Sequence, residues 1–141
     1  MKFLLDNLSL VLIALISGGM AVWPLLRARA GGPSLGTLAA TQLMNSRNVQ
    51  IVDVRSAAEF DAGSLQNARN IPLSEVAAQA PQLPKDRPAI VVCQTGRRAS
   101  LAAVKLRSAG INEVYILAGG LDAWRTAGLP VSKPAAAKEA K

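Results

Sequence analysis

Apolar residues run almost unbroken from Leu8 to Leu26, a stretch of 19 residues without charge. At 1.5 Å per residue a helix of that length covers about 28 Å, enough to cross the hydrocarbon of a bilayer. Trp23 falls near one end, where interfacial aromatics collect, and Pro24 is tolerable so close to a helix end. Ala14 and Gly18 form a small-xxx-small pair of the kind that lets two helices pack. Ala28-Arg29-Ala30 has the form of a cleavage site. The apolar run exceeds a usual signal-peptide core, and Arg27 and Arg29 flank the site, so an uncleaved anchor is expected. These arginines follow the span while Lys2, offset by Asp6, precedes it. The positive-inside rule then places the carboxyl-terminal part on the cytoplasmic side, by a margin of one charge.

Beyond residue 34 the pattern changes to short apolar runs separated by helical periodicity. Val49–Val54, Ala89–Val92 and Val114–Leu117 read as strands, rich in β-branched residues. Thr37 reads as the cap of a helix that ends near Asn45. Glu59 and Phe60 fall on a short helix, and Ile71-Pro72-Leu73 leads into another that runs through Ala80. Pro81, Pro84 and Pro88 bracket the connection before the next strand. A helix from Arg97 to about Ala109 is stopped by Gly110. Strands alternating with helices of this length predict an α/β fold, a central parallel sheet buried by helices on both faces. Gly119-Gly120 allows a tight strand-to-helix passage, Trp124 reads as core, and Gly128 to Val131 closes the fold.

Composition narrows the chemistry. The 141 residues contain no histidine and a single cysteine. Cys–His dyads, Ser–His–Asp triads, His metal sites, intrachain disulfides and multi-thiolate clusters are therefore excluded. No metal and no cofactor is expected. A lone free thiol fits a reducing compartment. The net charge is +7, but the charges are scattered and only 4% of residues are aromatic, so no nucleic acid is expected as a partner.

Cys93 sits where the Ala89–Val92 strand ends, followed by Gln94, Thr95, Gly96, Arg97 and Arg98. In an open α/β sheet, ligands meet the protein at the carboxyl ends of the strands, where loop and helix N–H groups converge. A thiol becomes a nucleophile as the thiolate, favoured by a helix N-terminus and by nearby cations. The loop amides, Gly96 and the guanidinium groups of Arg97 and Arg98 offer both, and the same cradle suits a persulfide anion on Cys93.

The stretch resembles the active-site loop of the rhodanese-like domain family, whose pattern is Cys, two residues, Gly, one residue, Arg. A cysteine phosphatase loop would require Arg at position 99, where this chain has Ala99. The resemblance implies that the shorter ring suits sulfur rather than phosphate. Asp53-Val54-Arg55 with Glu59-Phe60 is similar to a second family signature, and an Arg55–Glu59 ion pair is expected to tie that loop down. A third match is Gly63-Ser64-Leu65 with Ala68 and Asn70-Ile71-Pro72, although Ser64 stands where the family has His, at the expected loss of a structural hydrogen bond. Gly119-Gly120-Leu-Asp-Ala-Trp124 is a fourth. The implied organisation is an amino-terminal segment 1–29 with a transmembrane helix over about 8–26, a linker 30–34, a rhodanese-like domain 35–131 and a flexible tail 132–141.

The resemblance implies a membrane-anchored sulfurtransferase. Cys93 is the expected nucleophile. Gln94, Thr95, Gly96, Arg97 and Arg98 form the donor-binding loop, and Asp53, Arg55 and Glu59 support it. The expected partners are a small anionic sulfur donor such as thiosulfate, a thiol or protein acceptor, and the inner membrane of a bacterium, crossed once. The alternative is a catalytically idle interaction module at that membrane.

Overall fold

The computed structural model describes residues 1–30 and 32–133. Gly31 of the expected linker and residues 134–141 of the expected tail lie outside the described residues. So do the side chains of residues 27–30, on which the orientation argument draws. The chain divides into two units, Met1–Ala30 and Gly31–Lys141.

The first unit is helical. Helix α1 (Lys2–Asp6) gives way at Asn7, whose Nδ2 donates to the Phe3 carbonyl at 2.9 Å. Helix α2 (Leu8–Ala30) contains the apolar window, Leu8–Leu26, with a mean hydropathy of 2.1. Ser17 Oγ donates to the Ile13 carbonyl at 2.8 Å, so its hydroxyl needs no outside partner. No side chain in the window is buried. By length and composition this helix can cross a membrane.

The second unit is a five-stranded parallel sheet with helices on both faces. Its strands are β1 (Ser34–Leu35), β2 (Gln50–Asp53), β3 (Ala68–Asn70), β4 (Ala89–Val92) and β5 (Val114–Leu117), in the order β1-β5-β4-β2-β3. Every pairing is parallel. The helices are α3 (Thr37–Ser46), α4 (Ala57–Asp61), α5 (Val76–Gln79), α6 (Arg97–Ser108) and α7 (Gly120–Thr126).

Central β4 explains the layering. Its four residues are fully buried and alternate in direction, as the two-residue period of a strand requires. Val91, with Val52, Val54 and Ile116, packs on the face covered by Val76 of α5 and by Ala99, Ala102, Ala103 and Leu106 of α6. Ile90 and Val92, with Ile51 and Leu117, pack on the face covered by Ala40 of α3 and by Leu121 and Trp124 of α7. The three alanines let α6 lie close to the sheet, so the loop that enters α6 is held over the end of β4.

Three details depart from the sequence reading. Gly36, in an extended conformation, precedes α3, and Thr37 is the first helical residue rather than the cap. The short helix through Ala80 is α5 flanked by 3₁₀ turns, Leu73–Glu75 and Ala80–Gln82. Strands β1 and β3, of two and three residues, are too short for a periodicity to reveal. They exist because neighbours pair with them: Leu35 lies opposite Leu117, and Ala68 opposite Ile51.

Candidate active site

Cys93 follows β4 directly and is 1% exposed. Its Sγ accepts hydrogen bonds from the Gly96 N–H at 2.9 Å and the Ala99 N–H at 3.4 Å. Both donors belong to the start of α6, where backbone N–H groups lack helical acceptors. The loop curls back onto the sulfur because Gly96 takes φ 104°, a left-handed conformation that glycine adopts without a Cβ penalty. Space is not the constraint there, since the nearest atoms to an added Cβ are 3.8 Å away. The two N–H dipoles favour negative charge on the sulfur.

A second helix start holds the loop from behind. The Leu121 N–H donates to the Cys93 carbonyl at 2.8 Å, and the Asp122 N–H to the Gln94 carbonyl at 3.2 Å. Gly120 at φ 60° brings α7 so close that a Cβ would stand 2.3 Å from the Cys93 oxygen. The start of α7 thus holds the backbone of Cys93 and Gln94, while the start of α6 holds the sulfur.

Beneath the loop lies a buried ion pair. Asp53 is 0% and Arg55 2% exposed. Arg55 Nη2 donates to Asp53 Oδ2 at 2.7 Å, and Nε to Asp53 Oδ1 at 3.0 Å. Ser64 Oγ donates to Asp53 Oδ2 at 2.6 Å, and Arg55 Nη2 also reaches the Gly63 carbonyl at 2.7 Å. Asn70 Nδ2 donates to the Arg55 carbonyl at 3.0 Å. Desolvated charges of this kind are tolerated only when their remaining hydrogen-bonding groups are satisfied, as here. Arg55 Nη1 extends the network to Gln94 Oε1 at 3.4 Å.

The expected Arg55–Glu59 ion pair does not form. Asp53, two residues earlier and buried with Arg55, takes the guanidinium, and Glu59 turns elsewhere. Glu59 closes a capping box with Ser56 at the start of α4 and receives Arg98 Nη1 at 2.8 Å and Nη2 at 3.1 Å. Ser64 is the other correction: its hydroxyl does supply a structural hydrogen bond. Sequence reasoning also missed Asp122, which accepts a hydrogen bond from Gln94 Nε2. Its distance of 28 residues along the chain gave no local signal.

The two loop arginines therefore differ. Arg98 is committed to Glu59, though its positive charge is also favoured by Cys93. Arg97, the first residue of α6, is exposed and makes no side-chain hydrogen bond or ion pair among the described residues. Thr95 is likewise exposed. Among the described residues, no cluster of three His, Cys, Asp or Glu could hold a metal ion.

The Arg98 hydrogen bonds, with the Ser56 N–H, pull the Glu59 carboxyl down from 4.5 to about 2. A lowered carboxylate adds stability above its unfolded value, and that stability is lost as pH falls toward the folded value. Glu59 is 39% exposed, so screening limits the contribution to at most about 1 kcal/mol. The stability difference between the wild type and Glu59→Gln is expected to be constant above about pH 5 and to vanish toward pH 2. Urea unfolding at several pH values measures it.

Comparison with known proteins places these features together. The rhodanese-like domain profile matches residues 38–127. The uncharacterized Bacillus subtilis protein YqhL is 40% identical over 78 residues, 55% of this chain and 62% of its own, so the match spans under two thirds of that relative. The thiosulfate sulfurtransferase GlpE of Shewanella oneidensis is 37% identical over 86 residues, 61% of this chain and 85% of its own. The crystal structure of a rhodanese-related protein from Thermoplasma volcanium superposes with a TM-score of 0.65 at 30% identity, over 71% of this chain and 97% of that one.

Proposed function

Because this chain belongs to the rhodanese-like domain family, we propose that it is a sulfurtransferase that carries sulfane sulfur on Cys93 at a membrane surface. The observation that carries the proposal is the pair of N–H groups on Cys93 Sγ. They stabilise charge on the atom that must attack, and they suit the persulfide that replaces it.

The steps balance without an outside oxidant. The Cys93 thiolate attacks the outer sulfur of a donor such as thiosulfate. A new S–S bond forms, the donor's S–S bond breaks, and sulfite leaves with its electron pair. An acceptor nucleophile, a thiolate or cyanide, then takes the terminal sulfur and returns Cys93 as the thiolate. This is nucleophilic catalysis in two displacement steps. Near-complete burial of Cys93 favours a small donor. The exposed Arg97 charge, on the helix that begins beside the sulfur, supports binding of an anionic one.

Helix α2 supports anchoring of the domain by a single pass through a bacterial inner membrane, with the catalytic unit on the cytoplasmic side. The domain then occupies 35–131 behind a linker, and the tail follows. The anchor also favours the second reading, an idle module that docks a membrane partner, since a small-molecule enzyme has no obvious need of one.

One experiment separates these readings. Full-length protein from carbonate-washed membranes is exposed to thiosulfate and weighed intact. One added sulfur, mapped to Cys93, is expected. An unchanged mass would reject sulfur transfer and leave the docking module. Recovery of the chain in the soluble fraction would reject the anchor alone.

A further inference from the structure

Gln94 stands between two charges of opposite sign. Its Oε1 faces the Arg55 guanidinium, and its Nε2 donates to Asp122 Oδ1. Its own carbonyl also accepts from the Asp122 N–H. A carboxamide satisfies both ends, whereas a carboxylate would repel Asp122, a cation would repel Arg55, and an apolar chain would bond neither. The residue that immediately follows the nucleophile is thereby clipped to the buried Asp53–Arg55 pair on one side and to α7 on the other.

We propose that Gln94 is a positioning residue rather than a donor-binding one. The Gln94–Asp122 clip holds the loop so that the Gly96 and Ala99 N–H groups stay aimed at Cys93 Sγ. Its effect falls on the sulfur's reactivity and not on donor affinity. The backbone of Cys93 is already held by Leu121, and the Gly96 carbonyl accepts from Ser100 Oγ at 3.1 Å, but Gln94 and Thr95 have no other side-chain tether among the described residues. Thr95 is exposed, and Gly96 has no side chain. Losing the clip lets the intervening peptides swing, and a hydrogen bond to sulfur weakens steeply as it bends.

The test exchanges the two functional groups. In Gln94→Glu, two carboxylates meet. In Gln94→Glu with Asp122→Asn, the amide and the carboxylate trade places, and an N–H···O bond returns. The turnover part rests on the sulfurtransferase reading above, so alkylation of Cys93 by iodoacetamide is followed in parallel. Gln94→Glu is expected to lower both kcat with thiosulfate and the alkylation rate by about tenfold, equivalent to about 1.4 kcal/mol, at an unchanged KM. The double variant is expected to recover to within about threefold, a coupling of the size seen between residues in contact. Asp122→Ala, at an exposed position, removes the acceptor end of the clip; the loss of the only acid in the first turn of α7 lowers the unfolding midpoint by a few degrees at most, and both reactions are expected to slow with the fold retained by circular dichroism. Wild-type rates in Gln94→Glu or Asp122→Ala, or a Gln94→Glu defect that Asp122→Asn does not relieve, would overturn the assignment. Should the wild type fail to turn over thiosulfate, the sulfurtransferase reading falls, and the alkylation rates alone decide the clip.

Discussion

Replacing Cys93 by serine is expected to reduce sulfur transfer at least about 10³-fold, to background, with the fold retained; losses of that order and beyond follow removal of a nucleophile. Cysteine holds a few per cent of thiolate at neutral pH even when free, and the anion is intrinsically very nucleophilic. A serine hydroxyl at the same place stays protonated, and no histidine exists to take its proton. Nothing else in the loop substitutes, because the neighbouring side chains are an amide, a hydroxyl and two guanidinium groups. Serine is a better probe than alanine. Its oxygen still accepts from the Gly96 and Ala99 N–H groups, so the loop keeps its bonds and the loss is confined to chemistry. Steady-state assay with thiosulfate and cyanide reads the rate, and circular dichroism reads the fold. Turnover persisting within tenfold of the wild type would place the chemistry elsewhere.

Much of this site was legible along the chain because its parts are local. Ala89–Val92 is apolar enough to mark a central strand, Gly96 marks a turn, and the helical spacing after it marks α6. Together these put Cys93 at the carboxyl end of a strand, where the structure has it. What was illegible depends on distance. Arg55 has Asp53 two residues before it and Glu59 four after, and either carboxylate is within reach on paper. Burial decides between them: the pair forms inside the unit, where Ser64 and Gly63 complete its hydrogen bonds. Glu59, nearer the surface, goes to Arg98, 39 residues away. The same holds for β1 and β3, whose few residues become strands only because β5 and β2 offer them an edge. Ser64 illustrates the point from the other side. A missing histidine looks like a missing hydrogen bond until the hydroxyl is found against Asp53.

Arg55→Met is expected to be the most destabilising single change near the site. It leaves the fully buried Asp53 carboxylate with the Ser64 hydroxyl and the residue-55 N–H as its remaining donors. Breaking a buried pair from one side costs about 3–5 kcal/mol, because the surviving charge is left uncompensated. A domain's whole stability is about 5–15 kcal/mol. The loss therefore consumes about a fifth or more of the margin and lowers the midpoint by roughly 10–25 °C for a unit of this size. The Gly63 carbonyl and Gln94 Oε1 lose their donor as well, so the loop loosens with the core. Combining Arg55→Met with Asp53→Asn removes the stranded charge and is expected to recover about 1–3 kcal/mol, the coupling characteristic of contacting residues. A double variant no more stable than Arg55→Met would show that the charge is not what the pair protects. The contrast with Gln94 follows from burial. Arg55 moves midpoint and rate together because it carries charge inside the core, whereas Gln94 lies at the rim of the loop and moves the rate alone. Thermal unfolding beside the thiosulfate assay places each variant on one of those two lines.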